Sequence, residues 1–271
     1  MIEFATIKDK KELSSLWQMT FLEDSAVIEN FFRNVFPSVV TPVIRLDGEI
    51  ASSLFLLPCR IGKFNGSCVY CAITKYSQRG KGYMKQLLDF SYDYCKEEKL
   101  DFLFLVPAEK SLFDYYAKCG FENFGISRIC ILNENEPLIK ENLEFDYEIE
   151  FDNSVVEYWK NSCIVYGGEA TDFGLVFDDE ETVIRNAKGI YNQIPEKYKK
   201  SGVTVKGNIN FGESYTPAMI KTENEEIKNI DKYIIDGEIL TLNDRIYKKH
   251  KSAMNIYEMI ANDLLKESKV D

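Results

Sequence analysis

Two glycines in the short polar loop from Arg79 to Gly82 stand between an apolar run and a segment of helical periodicity. The first amides of a helix that starts near Gly82 have no acceptors within the helix, and the helix dipole adds positive potential at that end. Because glycine has no side chain, a diphosphate can approach this backbone closely, and the two basic residues add charged donors at the rim. The pattern predicts an anion site on the amides of Arg79, Gly80, Lys81, Gly82, Tyr83 and Met84.

Two other phosphate-binding motifs are excluded. The chain contains no Gly-x-x-x-x-Gly-Lys-Ser/Thr run, so a P-loop nucleotide hydrolase has no support. A dinucleotide fingerprint requires a further glycine where this chain has Lys85. The loop therefore predicts an anionic ligand of another kind.

A second motif follows later in the chain. The run from Asp101 to Pro107 is typical of a buried strand, and a helical segment over 109–118 ends before Gly120, a residue suited to the position after a helix. Together these stretches resemble the GNAT (Gcn5-related N-acetyltransferase) family. The glycine loop is similar to that family's acyl-CoA motif, Arg/Gln-x-x-Gly-x-Gly/Ala. The run from Tyr116 to Phe121 is similar to its second signature, Tyr-x-Lys-x-Gly-Phe.

One position departs from the family pattern. Met84 stands where most members have Gly or Ala. Its amide can still donate, and we expect its side chain to turn away from the diphosphate. The form Arg-Gly-x-Gly-x-Met resembles the subgroup typified by the enhanced-intracellular-survival acetyltransferases, which combine two GNAT-like halves in one chain.

The resemblance implies acetyl-CoA as cosubstrate, without a metal. The acceptor is then a primary amine, on a small molecule or a peptide, that attacks the thioester directly in a ternary complex. Backbone groups of Ala72, Ile73 and Thr74 would pair with the pantetheine, and an amide there would polarise the thioester carbonyl. Tyr116 stands where the family places the general acid that protonates the leaving thiolate.

The general base is not identified by the sequence. Many relatives carry a glutamate on the central strand, whereas the stretch from Ser67 to Thr74 contains no acid. Three alternatives stay open: a water chain, a carboxylate from the second half of the chain, and the C-terminal carboxylate of Asp271.

Composition and charge limit the class of protein. With 271 residues, 45% of them hydrophobic, the chain can bury a core in one large domain or two modest ones. It contains no run of about 18 apolar residues and no basic leader, so we expect a cytoplasmic protein without membrane contact. The net charge of −11 argues against nucleic acid as a partner, because phosphates require a basic surface, and is compatible with a cationic amine.

Metal ligation is not predicted. The seven cysteines are scattered, and His250 is the only histidine. Cys68 and Cys71, the one close pair, lie three apart in a predicted strand and so point to opposite faces. Buried, reduced thiols are the expected state.

Hydrophobic periodicity predicts the order β-α-α-β-β-β before the loop, with Asp47-Gly48 as a two-residue hairpin turn. A helix to about residue 98, a strand over 101–106, a helix over 109–119 and a strand over 121–133 follow. The predicted fold class is α/β (α+β): a GNAT fold with a mixed, mostly antiparallel twisted sheet and helices on both faces.

The apolar content falls near 133–137, which predicts a linker between two domains. Residues 1–135 would form the GNAT acetyl-CoA-binding domain, and 140–271 would form a second α+β domain. One interpretation of this second domain is a degenerate GNAT-like half. Strands are predicted over 217–222 and 233–242. Helices are predicted over 155–163, from the acidic run at 178–181 to about 188, and over 246–266. Since this half has no copy of the glycine loop, we expect either a noncatalytic lid that shapes the acceptor pocket or the surface of a homodimer.

Two functions of other classes stay open. A noncatalytic acyl-CoA-binding or regulatory module is favoured by Met84 and by the missing strand glutamate. An aminoacyl-tRNA-dependent transferase is a further alternative, because some of those enzymes use two GNAT-like halves, but the acidic composition disfavours it.

Overall fold

The computed structural model describes residues 1–131, 147–171, 174–177, 204–207, 213–230 and 233–234. Most of the predicted second domain, including the helix near 188 and the terminal helix over 246–266, lies outside the described residues. The division of the chain at 135–140 therefore stays a prediction.

The first part of the chain alternates strands and helices in the predicted order. Its elements are β1 (Ile2–Phe4), α1 (Lys10–Phe21), α2 (Ser25–Asn34), β2 (Pro42–Leu46), β3 (Glu49–Ile61), β4 (Phe64–Thr74), α3 (Tyr83–Glu97), β5 (Phe102–Leu105), α4 (Ser111–Lys118), β6 (Glu122–Phe124) and β7 (Ser127–Ile131). Short 3-10 turns occupy Ile7–Asp9, Phe36–Ser38 and Tyr76–Gln78.

The later elements are shorter and interrupted. They are β8 (Tyr147–Phe151), α5 (Asn153–Val165), β9 (Gly168–Thr171), β10 (Gly174–Phe177), β11 (Thr204–Gly207), β12 (Glu213–Tyr215), β13 (Ala218–Thr222), α6 (Glu225–Lys228) and β14 (Tyr233–Ile234). After α5, β9 and β10 form an antiparallel hairpin.

Local chemistry explains several boundaries. Asp24 caps α2, since its side chain accepts a hydrogen bond from the Ala26 amide at 2.8 Å. The predicted hairpin turn is confirmed: Asp47 and Gly48 both have positive φ, 52° and 84°, as a two-residue turn between twisted strands requires. One prediction was wrong. The strand expected over 121–133 is split, because Gly125 adopts a φ of 74° and β7 leaves the main sheet to pair with β11 and β12.

The main sheet is mixed and mostly antiparallel, as predicted. Its order is β1-β2-β3-β4-β5-β13-β6, with β8 pairing β3 and β14 pairing β8. Within that order only β4 and β5 run parallel. Helices cover both faces: α1, α2 and α5 pack over one core that contains Trp17 and Phe31, and α3 packs over a second core that contains Leu87 and Leu88.

Strand β13, from the later part of the chain, lies between β5 and β6. Met219 pairs with Leu105 on one side and with Asn123 on the other. Sequence periodicity predicted this strand but gave no reason to place it here. Lys221 reinforces the position, since its Nζ donates to the Cys119 carbonyl at 3.0 Å. The later segments therefore complete the sheet that the first 124 residues begin.

We expect a protein that ends at residue 135 to lack a cooperative thermal transition. It would lose β13, which pairs with β5 and β6, and α5, which covers apolar side chains beside α2. Circular dichroism during heating measures this against the full chain. A truncated protein that unfolds cooperatively near the full-length midpoint would show that the later segments are dispensable for folding.

Candidate functional site

The parallel strands β4 and β5 separate half-way along β4. Their register runs from Gly66 opposite Phe102 to Val69 opposite Leu105, and it ends there. Strand β4 continues to Thr74 while remaining paired with β3 on its other side. The last residues of β4 therefore present a backbone edge that no described strand covers.

A bulge marks the point of separation. The register with β3 shifts between Ser53, opposite Ile73, and Phe55, opposite Tyr70, so two β4 residues face one β3 residue. Cys71, inside the bulge, has a φ of 50°, which is uncommon for a residue other than glycine. Bulges of this kind re-aim the strand and are frequent beside active sites.

The two edges of β4 beyond the bulge have different roles. The Lys75 amide donates to the Ala51 carbonyl at 2.9 Å, and the Ser52 hydroxyl donates to the Ile73 carbonyl at 2.9 Å. Because backbone groups alternate in direction along a strand, Ile73 faces β3, whereas Ala72 and Thr74 face the uncovered edge. Of the three residues predicted to pair with pantetheine, Ala72 and Thr74 have the better orientation.

The glycine loop follows directly and ends at the start of α3. Gly80 and Gly82 have φ values of 75° and 78°, and the first bond of the helix runs from the Gln86 amide to the Gly82 carbonyl at 3.1 Å. No described group accepts a hydrogen bond from six successive amides, those of Gly80, Lys81, Gly82, Tyr83, Met84 and Lys85. The Arg79 amide differs from them, since it donates to the Tyr76 carbonyl at 3.2 Å.

The space above the loop is open. A Cβ atom placed on Gly80 or Gly82 would meet no heavy atom within 4 Å. Met84 packs against the core beneath α3, so its side chain turns away from the loop as expected. The Lys81 ammonium lies at the rim, where it donates to the Gln78 side-chain oxygen at 2.8 Å. Amides without described acceptors, open space and cationic side chains are the features that an anion site requires.

Tyr116 lies on α4, at the side of the sheet that α3 covers. It packs against the same core as Ala72 and Met84. Burial raises the pKa of Tyr116 to about 12, so the phenol stays protonated at neutral pH. The neighbouring Tyr115 has another environment, and a hydrogen bond with the Cys119 thiol contributes, after burial, to its raised pKa.

Sequence reasoning missed a polar cluster on the opposite face of the sheet. Glu23, in the turn between α1 and α2, is only 3% exposed. It accepts hydrogen bonds from the Tyr166 hydroxyl and, at 2.8 Å, from the Asp24 amide. The hydroxyls of Tyr70 on β4 and Tyr158 on α5 lie 3.0 Å apart beside it. A single glutamate between two helices gives no sequence signal of burial, because its side-chain donor, Tyr166, is 143 residues away in the chain.

The described residues contain no group of three or more histidine, cysteine or acidic side chains that could hold a metal ion. Six cysteines of the described part are free thiols. In that part of the chain, every helix is too short or too polar to cross a membrane.

Comparisons with known proteins agree with the geometry. The model of a family described as an acetyltransferase (GNAT) domain matches residues 1–124. None of the curated proteins that were compared with the chain matches it.

Solved structures extend the likeness. A protein of Enterococcus faecalis V583, described as a conserved protein of unknown function and probable N-acyltransferase, is similar over 82% of this chain and 72% of its own, with 10% identity and a TM-score of 0.58. Glucosamine-6-phosphate N-acetyltransferase from Arabidopsis thaliana is similar over 46% and 92%, with 21% identity and a TM-score of 0.40. A GNAT family N-acetyltransferase from Escherichia coli, solved with CoA, is similar over 45% and 68%, with 16% identity and a TM-score of 0.40.

The similarity to the Enterococcus faecalis protein shows a shared fold that extends beyond residues 1–124. The resemblance to the enhanced-intracellular-survival subgroup stays a prediction. The family match itself spans the separating strands, the glycine loop and α4. Residues 1–124 of this chain therefore match the model of the acetyltransferase (GNAT) domain.

Proposed function

We propose that the protein transfers an acetyl group from acetyl-CoA to a primary amine, which attacks the thioester directly in a ternary complex. The observation that carries this proposal is the run of six amides from Gly80 to Lys85 without described acceptors, below open space. A diphosphate supplies the negative oxygens that such a run of donors and the N-terminus of α3 stabilise.

The uncovered edge of β4 leads away from this loop. Backbone groups of Ala72 and Thr74 face that edge, and the pantetheine of acetyl-CoA carries amides that can pair with them as an added strand does. Arg79 Nε already donates to the Thr74 carbonyl at 3.3 Å, so this side chain must move or share the acceptor. The thioester then lies near the bulge, where a backbone amide can polarise its carbonyl.

Tyr116 is proposed as the donor to the sulfur that leaves. A phenol with a pKa of about 12 is a weak acid, so it acts by hydrogen bonding to the sulfur while the C–S bond breaks and negative charge develops. The apolar surroundings that weaken the acid also raise the basicity of a thiolate formed there. Both effects favour a proton shared at the transition state over a free thiolate.

Gly82→Ala is expected to raise the Kd of acetyl-CoA at least tenfold, about 1.4 kcal/mol, because its Cβ enters the space proposed for the diphosphate. Gly48→Ala is the matched control. Both glycines have a φ near +80° and no atom within 4 Å of an added Cβ, so both variants carry the same backbone strain. Isothermal titration calorimetry measures the Kd, and equal Kd values for the two variants would remove the loop from the donor site.

Tyr116→Phe is expected to lower kcat by about 10²-fold or more, with little change in the KM of acetyl-CoA, because only the transition state uses the hydroxyl. Tyr115→Phe, one residue away, is the control and should retain wild-type kcat. Since Tyr116 has a pKa of about 12, its ionisation should not lower the wild-type kcat between pH 7 and 10.

Both variants are assayed by thiol release with the amine that the wild-type protein accepts best. Wild-type kcat in Tyr116→Phe would refute the role of this tyrosine. Stabilisation of the protein by acetyl-CoA, without turnover on any amine, would instead favour the noncatalytic acyl-CoA module. Retention of tRNA on a filter would favour the aminoacyl-tRNA-dependent transferase.

A further inference from the structure

A buried carboxylate lies in the turn between α1 and α2, the helices on the face of the sheet opposite to α3. Glu23 follows Leu22, which has a φ of 48°, and this left-handed residue turns the chain sharply between α1 and α2. The turn directs Glu23 inward, so that only 3% of it is exposed. An inward carboxylate loses hydration, and proteins retain such groups where charged partners, hydrogen bonds or function compensate.

The carboxylate is held by specific donors. The Tyr166 hydroxyl and the Asp24 amide both donate to the Oε1 atom of Glu23. Tyr166 caps the C-terminus of α5, a helix from the later part of the chain. Burial, followed by the charge of Glu23, raises the pKa of Tyr166, so its hydroxyl keeps its proton and remains a donor.

The same cluster contacts the strand that the donor is proposed to occupy. Cys71, inside the bulge, and Tyr166 both pack against the core that contains Tyr158. Burial, followed by the negative charge of Glu23, raises the pKa of Cys71. Tyr70, the residue before the bulge, shares a 3.0 Å hydrogen bond with Tyr158 of α5. Tyr70, Cys71 and Tyr166 are all partly exposed, so the cluster has a surface that a ligand can approach.

The geometry fixes the side from which an acceptor arrives. The proposed diphosphate site lies at the N-terminus of α3, which covers one face of the sheet, whereas α1, α2 and α5 cover the other. With the donor beside α3, an acceptor that approaches from the other face meets the side that carries Glu23 and Tyr166. A buried negative charge beside that approach attracts a cation more strongly than an exposed one, because water screens it less.

We propose that Tyr166 and Glu23 form the proton-accepting pair of the transfer reaction, and that the acceptor is a cationic primary amine held beside the bulge of β4. This rests on the proposed function. Tyr166 is the catalytic residue of the pair, since its oxygen meets the ammonium group, and Glu23 is the positioning residue that acts through it.

The proton balance is as follows. The Tyr166 oxygen takes one proton from the ammonium group while its own proton passes to Glu23, which leaves a neutral amine. The nitrogen lone pair forms the C–N bond, the C–S bond breaks, and its electron pair goes to sulfur, which gains a proton from Tyr116. The nitrogen loses its second proton to water, Glu23 returns its proton to water, and Tyr116 regains one. One amide, one thiol and one released proton result.

The test measures kcat/KM from pH 6 to pH 10 for Glu23→Gln, Tyr166→Phe and a control, Glu29→Gln. Glu29 is a half-exposed carboxylate of α2 that pairs with Lys10. The acceptor is the best substrate of the wild-type protein from a panel of a diamine, a polyamine, an amino sugar and a lysine peptide. Acetyl-CoA affinity, measured for each variant, shows that its donor site is folded.

For Glu23→Gln we expect a loss of about 10²-fold in kcat/KM at pH 7, since general bases contribute this much. The loss should shrink as the pH approaches the ammonium pKa of about 10, because a neutral amine needs no base. Tyr166→Phe removes the oxygen that meets the ammonium group, so it should also lower kcat/KM at pH 7. It should move the acid limb of the profile to higher pH as well, since a carboxylate that loses a donor holds its proton more tightly. The groups that face Glu23 in this titration are Tyr70, Cys71, Tyr158, Tyr166 and Asp24.

Three outcomes decide the matter. If wild-type protein acetylates an amine and both variants keep the profile of Glu29→Gln, the pair is not the base, while the proposed function stands. If Glu23→Gln does not fold, an unshifted limb in Tyr166→Phe overturns the inference equally well. If acetyl-CoA binds but no amine is acetylated by wild-type protein, the proposed function falls and this inference falls with it.

Discussion

The separation of β4 from β5 is the constraint on which the rest of the site depends. A parallel pair that stayed in register would satisfy the backbone groups of both strands and leave no edge for a ligand. The bulge at Cys71 redirects β4 while β3 holds its other side. The strand therefore ends with an uncovered edge, and the chain then enters the glycine loop and α3, where unsatisfied amides continue the same line of donors.

The later part of the chain supports this arrangement from both faces. β13 pairs with β5 and β6, the two strands that flank α4 in sequence, and so fixes the helix that carries Tyr116. On the other face, α5 joins β4 through Tyr158 and Tyr70 and brings Tyr166 to Glu23. The part of the chain that matches the GNAT domain model therefore depends on later segments for its sheet and for the proposed proton acceptor.

Local signals predicted the elements well, whereas long-range contacts could not be predicted. The hairpin at Asp47-Gly48 and the loop at Gly82 depend on residue type and neighbours, so they follow from the sequence. The place of β13 depends on which edge a half-buried strand joins, and alternation alone does not encode that. The burial of Glu23 depends on Tyr166, a residue separated from it by most of the chain.

Amide hydrogen exchange of residues 80–85, measured residue by residue with and without saturating acetyl-CoA, tests the central claim most directly. In the free protein these amides have no described acceptors, so they should exchange rapidly. Binding should slow them by about tenfold or more and leave the Gly48 amide in the hairpin turn unchanged. Exchange in 80–85 that stays rapid while acetyl-CoA protects amides elsewhere would contradict the account.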